Sequence, residues 1–331
     1  MEVYYLFAKE LMTKKQKNTL FQTTVSTVLI VGTAIVMLSS QFPFIRRVSE
    51  YSVHIMLGML AFSMFSMWAK RTKIMFAGLA CTAALCVFLK DATYNTLKLP
   101  LENTEAKLNV AHVNLSNITL DYEELKTILN KEDIDLVSFQ ELTPDWNVLL
   151  KNLLQKDFPH SESEVRIDPY GMALYSRVPF ESFQSFKCGG KPNLKSTVEK
   201  DGKEFEIVSS YLTPALDQKS IETASTQLNT IAKEIKNSQH PLIALGEYNM
   251  VYWTNEIREF RTDTKLTNSR RGLSDGNLRV PYDHIFFSDK LECTQFKEVF
   301  DDAQNYIGIM GTYQIRDEKS YPTLNSHLSV N

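Results

Sequence analysis

Residues 241–250 read "PLIALGEYNM". Leu242, Ile243, Ala244 and Leu245 make a short continuous apolar run, the pattern of a buried strand, bounded by Pro241 and Gly246. Straight after the stop stand a carboxylate, an aromatic ring and an amide: Glu247, Tyr248 and Asn249. Ligands in α/β folds collect at strand ends, where loops present polar groups over a rigid base. An acid and an amide set two apart at such an end are therefore candidates for chemistry. The same reasoning applies to the residues just past every other strand-like run.

Around this strand, strand and helix patterns alternate. Strands are predicted over 108–115, 135–142, 170–180, 282–288 and 293–300, and two more within 194–212 around the hairpin signal Asp201-Gly202. Residues 121–132 form an amphipathic helix with acids in its first turn. Thr143 caps a second helix with Pro144 at its first position. Residues 217–238 form a long helix with Ile221, Ala224, Leu228, Ile231 and Ile235 on one face. Hairpins mixed with crossover helices predict an α/β fold, with a mixed sheet or two sheets and helices outside.

The N-terminal part is of another kind. No charged residue occurs from Asn18 to Ile45, a run long enough to cross ~30 Å of hydrocarbon. Two further apolar runs, Tyr51–Ala69 and Ile74–Leu89, come after it, each bracketed by Lys or Arg. The reading is a membrane domain of three transmembrane helices over 1–90, a linker over 91–106 and an α/β domain over 107–331. Lys9, Lys14, Lys15 and Lys17 precede the first span, and Lys70, Arg71 and Lys73 separate the second from the third. Only Arg46 and Arg47 separate the first from the second. The positive-inside rule puts the N-terminus in the cytoplasm and the α/β domain outside it, periplasmic or extracellular. The expected location is thus a bacterial inner membrane or a plasma membrane. His54, near the end of the second span, reads as an interfacial histidine.

Of 331 residues, the first 103 carry 11 Lys and Arg against 5 Asp and Glu, and the remainder 25 against 34. An acidic domain is a poor binder of long nucleic acid, whose phosphates are met mainly by Lys and Arg. Cys188 and Cys293 are the cysteines of the outer part, and the sequence leaves their pairing open. There is no Gly-rich phosphate loop, no zinc spacing and no Ser-His-Asp elbow. The basic run "SRR" (269–271) reads as a solvated loop that alternatively meets a substrate phosphate.

The strand ends, taken in order, offer Asn114 in "HVNLSN", Glu141 in "DIDLVSFQE", Tyr211 in "YLTP", Glu247 and Asn249 in "GEYNMVYW", Asp283 in "YDHIFFS" and His327 in "NSHLSV". With "GMALYSRVP" (171–179), this order and spacing resemble the endonuclease/exonuclease/phosphatase superfamily, the DNase-I-like hydrolases, and the three apolar spans resemble a membrane-anchored branch of it. The resemblance implies a four-layer α/β/β/α sandwich of two mixed β-sheets flanked by helices. It also implies hydrolysis of a phosphoester with Mg²⁺ or Mn²⁺. By the same resemblance, Glu141 is the metal carboxylate with Asn114 in support. Glu247 orients or deprotonates the attacking water, and Asn249 holds that water or a phosphate oxygen. His327, paired with Asp283, stabilises charge on phosphorus, and Tyr211 donates to a phosphoryl oxygen.

The chain departs from the pattern in three places. Glu247 stands where the family has Asp, and one added methylene moves a carboxylate by more than ~1 Å. Tyr211 stands where many members have His, and Ser326 where the family has Asp before its last His. The chain ends at Asn331, which leaves the closing strand nearly absent. An alternative alignment sets "IGIMG" (307–311) against the family's closing motif and leaves no histidine there. The expected function is a membrane-anchored, metal-dependent phosphodiesterase, nuclease or phosphatase. The alternative is a catalytically degenerate member of the fold that binds a protein partner or a phosphate ligand.

Overall fold

The structure is a computed structural model and describes residues 14–93, 100–101, 105–118, 122–272 and 278–317. The chain divides into two compact units, residues 1–92 with 253–255, and residues 93–252 with 256–331.

In the first unit, helix α1 (Lys14–Leu38) leads through two 3₁₀ turns into the short α2 (Arg46–Glu50), followed by α3 (Ser52–Trp68) and α4 (Thr72–Asp91). Residues 16–41 and 72–91 are each helical and apolar over enough length to cross a membrane. The helical stretches 43–50 and 52–68 meet that criterion together but are bent by 63° at their junction. The described residues thus hold two candidate spans, or three when the bent pair is one. Leu20, Val28, Ile30, Phe65 and Phe76 point outward, as side chains facing acyl chains do. Gly78 lies against Ser63, where an added Cβ would sit 2.1 Å from the Ser63 hydroxyl, so the close approach of α3 and α4 needs glycine there.

The second unit holds strands β1 (Lys107–Asn114), β2 (Leu136–Gln140), β3 (His160–Glu164), β4 (Met172–Ser176), β5 (Phe180–Cys188), β6 (Lys191–Lys200), β7 (Lys203–Ser210), β8 (Leu242–Glu247), β9 (Thr267–Asn268), β10 (Asp283–Phe287), β11 (Leu291–Phe300) and β12 (Tyr306–Ile315). Its helices are α5 (Tyr122–Lys131), α6 (Pro144–Leu154), α7 (Gln218–Lys236) and α8 (Asn255–Thr264). The strands form two six-stranded sheets, in the orders β11-β12-β1-β2-β4-β3 and β5-β6-β7-β8-β10-β9. β1 and β2 are parallel across α5, and β7 and β8 are parallel across α7; the hairpins are antiparallel. The predicted caps form. The Thr143 side chain accepts from the Trp146 backbone, and Asp217 closes a capping box with Ser220. Asp201 and Gly202 take φ of 52° and 72° in the β6–β7 turn, the left-handed pair a tight hairpin requires.

Side-chain alternation organises the layers. Leu108, Val110, Leu136, Phe205, Ile207, Ile243, Leu245, Ile285 and Phe287 face inward and fill the space between the sheets. Ala111, Val113, Val137 and Phe139 face the other way, against Leu125, Leu129, Leu150 and Leu154 of α5 and α6. On the far side Phe260 of α8 packs on Tyr248 and Phe286. The result is the expected helix, sheet, sheet, helix sandwich. A strand that the sequence reading did not predict closes the first sheet: β12, at 306–315, pairs antiparallel with both β1 and β11. Its Gly308 and Gly311 weaken the apolar alternation that would announce it, and Gly308 is needed, because a Cβ there would lie 2.0 Å from the His112 carbonyl oxygen. Cys188 and Cys293 are buried, unpaired and on different sheets.

Candidate functional site

The same alternation builds the site. In β1, Leu108 and Val110 face the inter-sheet core, so His112 and Asn114 continue that face to the strand end. In β2 the inward series is Leu136, Ser138, Gln140; beyond β7 it runs Phe205, Ile207, Ser209, Tyr211; in β8 it is Ile243, Leu245, Glu247; and β10 opens with Asp283 ahead of Ile285 and Phe287. Each series runs apolar in the core and turns polar at the same end of the sandwich.

A glutamine stitches the two sheets there. Gln140 Nε2 donates to the Ser210 carbonyl oxygen (2.8 Å), and its Oε1 accepts from the Glu247 backbone N–H (2.9 Å). Gly246 makes room for it. Its φ is 142°, and an added Cβ would sit 2.0 Å from the Ser210 oxygen and 2.6 Å from Gln140 Nε2. Deeper in, the Ser138 and Ser209 hydroxyls share a hydrogen bond of 2.6 Å. Glu141 and Asn249 both hold positive φ, 61° and 51°. Non-glycine residues in that region cost of order 1 kcal/mol or more and persist where surrounding structure imposes them, often at working sites.

Asn114 is the hub. Its Nδ2 donates to Glu141 Oε1 (3.0 Å) and Glu247 Oε2 (2.5 Å), while its Oδ1 accepts from the Ser116 backbone and hydroxyl, both at 2.9 Å. The Tyr211 hydroxyl donates to the same Glu141 oxygen (3.3 Å). Asn249 lies beside Tyr211, anchored by a bond from its Nδ2 to the Leu212 carbonyl oxygen (3.0 Å). Asp283 sits directly across the β8–β10 ladder from Glu247. It accepts from Arg279 Nη2 (2.9 Å) and from the Tyr306 hydroxyl on one oxygen, and its other oxygen lies 3.4 Å from His112 Nε2.

The electrostatics arise from three carboxylates at the end of a buried core. Burial, then the neighbouring Asp283 and Glu141 charges, push the Glu247 carboxyl up to about 7, against the opposing pull of the Asn114 amide and Arg279. Burial also acts on Asp283, but His112, Arg279 and Tyr306 outweigh it and hold that carboxyl below the ordinary range. The Tyr211 phenol is driven far above its usual value by burial and by the Glu247 and Glu141 charges, so it remains a proton donor across the physiological range.

Asn114, Glu141, Tyr211, Glu247, Asn249 and Asp283 are thus gathered at one end of the sandwich from well-separated stretches of chain. His327 lies outside the described residues, as does Ser326. The "SRR" run is absorbed elsewhere: Arg270 is buried in an ion pair with Glu298 (2.8 Å), not solvated, and Arg271 Nη2 donates to the Cys293 carbonyl oxygen. Four further residues touch the site. Gln140 adjoins Glu141 in "SFQE", and His112 lies two positions before Asn114 on the same face, so both are signalled by parity. Arg279 stands four positions before Asp283 with no local pattern to mark it. Tyr306 is hidden by a bulge: the β11–β12 register slips between Val299 and Phe300, which leaves Ile307 unpaired and turns Tyr306 inward.

Among the described residues, no group of three or more His, Cys, Asp or Glu side chains forms a ready-made metal cage. Mg²⁺ needs less: hard oxygen donors, one or two carboxylates, and retained waters. Glu141 and Glu247 converge on a single amide, and burial, with the Asp283 and Glu141 charges after it, raises the Glu247 carboxyl. That donor set fits a divalent cation.

Residues 92–313 match the endonuclease/exonuclease/phosphatase family. No curated protein matches the chain. Solved structures share the fold. An endonuclease/exonuclease/phosphatase from Beutenbergia cavernae is 16% identical, with a TM-score of 0.54 over 63% of this chain and 72% of that one. A family protein from Bacteroides thetaiotaomicron is 13% identical, with a TM-score of 0.51 over 65% and 100%. TDP2 from D. rerio, complexed with single-strand DNA product, is 17% identical, with a TM-score of 0.50 over 63% and 99%.

Proposed function

The chain belongs to the endonuclease/exonuclease/phosphatase family, whose members are usually phosphoester hydrolases, and from that membership we propose a membrane-anchored phosphoester hydrolase that works with Mg²⁺ or Mn²⁺. The observation that carries the reading is the hydrogen-bonded chain from Tyr211 through Glu141 and Asn114 to Glu247 at the end of two sheets.

Glu141, with the facing oxygen of Glu247, would hold the cation. The bound cation would supply charge neutralisation at the phosphoryl oxygens. Glu247 takes a proton from the attacking water, the general-base role open to a carboxylate held within reach of it. The Asn114 amide fixes its orientation, and Gln140 fixes its backbone. Tyr211, kept protonated, donates a hydrogen bond to a phosphoryl oxygen, and Asn249 beside it offers its amide to the same group. Asp283 is a positioning residue, holding Arg279 and Tyr306 at the rim. Positioning and charge neutralisation account for most of the acceleration of such reactions.

The apolar helices anchor the chain, and the lysine bias supports a second unit outside the cytoplasm; a reporter enzyme fused after residue 316 reads that orientation. The acidity of the second unit and the anchor favour a small or lipid phosphoester over long nucleic acid. The full-length chain in detergent, given bis(p-nitrophenyl) phosphate and Mn²⁺, tests the reading. Turnover that falls at least ~10²-fold in Glu141→Gln supports it. Absence of turnover, with no metal-dependent rise in melting temperature, favours the binding-protein alternative.

A further inference from the structure

We propose that Arg279 is the phosphate-binding cation of this site, its guanidinium gripped by Asp283 and Tyr306 so that its free edge donates to a non-bridging oxygen of the phosphoester. The assignment rests on the hydrolase reading of the site and specifies the side chain that meets the substrate's negative charge.

Position is the first argument. Asp283 and Glu247 are cross-strand partners, so a side chain fastened to Asp283 stands one ladder step from the carboxylate assigned to the attacking water. The grip is the second. Arg279 Nη2 donates to Asp283 Oδ2 at 2.9 Å, the guanidinium carbon lies 3.3 Å from the centre of the Tyr306 ring, and the Tyr306 hydroxyl donates to the same carboxylate oxygen. The planar face is stacked and one corner is bonded, which leaves the remaining N–H groups to point elsewhere. Arg279 Nε is buried with no hydrogen-bond partner among the described residues, yet the side chain is 30% exposed. The enclosed Nε is out of reach of an arriving acceptor, so the exposed share of the guanidinium is what meets it.

Charge is the third argument. Glu141, Glu247 and Asp283 crowd one end of the sandwich, and a phosphoester adds more negative charge. His112, the described imidazole beside Asp283, is fully buried behind it and has no access to substrate. Arg270 shows the contrasting case, an arginine 3% exposed and consumed by Glu298. Arg279 is half-buried, with one corner of its guanidinium on Asp283 and 30% of its side chain exposed. Its charge is permanent, and its fork suits two oxygens of one phosphate, which a lysine ammonium does not match. The bulge in β12 acquires a reason as well, since it is what turns the Tyr306 ring into the stacking position.

The test uses the full-length chain in detergent with Mn²⁺, with inorganic phosphate titrated by calorimetry alongside turnover of bis(p-nitrophenyl) phosphate. Arg279→Gln weakens phosphate about 10- to 100-fold, the range for a lost charged hydrogen bond, and lowers kcat/KM at least as much. Arg279→Lys, which keeps charge without fork or stacking, falls between. The Mn²⁺-dependent thermal shift stays at the wild-type value in both, which separates loss of phosphate binding from loss of fold. Phosphate affinity within twofold of wild type in both variants overturns the assignment, even if the wild type hydrolyses the diester and the hydrolase reading stands. Phosphate binding that depends on Arg279 in a chain with no turnover keeps the assignment and removes the hydrolase reading. A wild type that binds no phosphate overturns the assignment, and the hydrolase reading then stands or falls by diester turnover alone.

Discussion

Glu247→Gln, measured without metal, reads the charge crowding directly. The folded carboxyl sits at about 7 against 4.5 for the free side chain, raised first by burial and then by Asp283 and Glu141. A value raised by folding means that the fold tolerates the neutral acid and resists the anion. The stability this group contributes is therefore fully present below pH 4.5 and is lost as pH climbs through about 7. Between those limits the loss is about 3 kcal/mol, at ~1.4 kcal/mol for each pH unit between them. Glutamine keeps the shape and stays neutral, so the variant escapes that loss. For a unit of this size about 3 kcal/mol is worth roughly 6–12 °C in melting temperature. The assay is differential scanning fluorimetry of the full-length chain in detergent with EDTA, wild type against variant, from pH 4.5 to 9. The curves should coincide near pH 4.5 and separate through pH 7, with the variant melting roughly 6–12 °C higher above it. Saturating Mn²⁺ should shrink or reverse the gap, because the cation favours the carboxylate. A gap that is constant with pH, or a variant less stable at pH 8 without metal, refutes the reasoning.

Gly246→Ala places a methyl 2.0 Å from the Ser210 oxygen and against Gln140; a loss of at least ~3 kcal/mol is expected, read as a collapsed melting temperature, and a change under ~1 kcal/mol would show that the two sheets are not locked there. Gln140→Leu strands the Ser210 carbonyl and the Glu247 N–H together, at ~2–4 kcal/mol for two buried groups without partners, and thermal melting checks it. Tyr211→Phe removes one donor from Glu141 and from the phosphoryl group; kcat should drop about 10- to 100-fold with melting nearly unchanged, and the wild-type rate profile should show no falling limb from this phenol below pH 10.

What the sequence disclosed, and what it hid, divides along the alternation of side chains. The run "LIALGE" announces a strand, and period two then fixes which way Glu247 faces; the same parity places Asn114, Tyr211 and Asp283. These groups were legible because each continues an apolar series to its polar end. Elements lacking that contrast were not. β3, "HSESE", is an edge strand without an apolar face; β9 has two residues; and β12 is interrupted by glycines and a bulge. The outer helix α8, "NEIREFRTDT", keeps only Ile257 and Phe260 buried, too few to stand out from a polar loop. Arg270 misled in the opposite sense. A basic run reads as a solvated face, and only the fold reveals Glu298 waiting across it.

The residues of the site that sequence reasoning missed share a physical cause. Gln140, Arg279 and Tyr306 act on neighbours rather than on their own strand: one links two sheets, one grips a carboxylate four positions on, and one arrives through a slipped register. Gln140 and Tyr306 work through pairings between distant segments and Arg279 through a contact from outside any strand, none of which periodicity within a strand encodes. The same dependence explains how a Glu in place of the family's Asp at 247 still reaches the hub. The longer side chain meets an Asn114 amide that bonds Glu141 at the same time, so the position of the carboxylate is set by its partner across the sandwich as much as by its own length. Loss of the Asn114 amide should therefore release both acids together and, since that amide pulls the Glu247 carboxyl down, raise its titration further; an Asn114→Ala chain with unchanged Glu247 titration and full turnover would show that each carboxylate is held by its own strand alone.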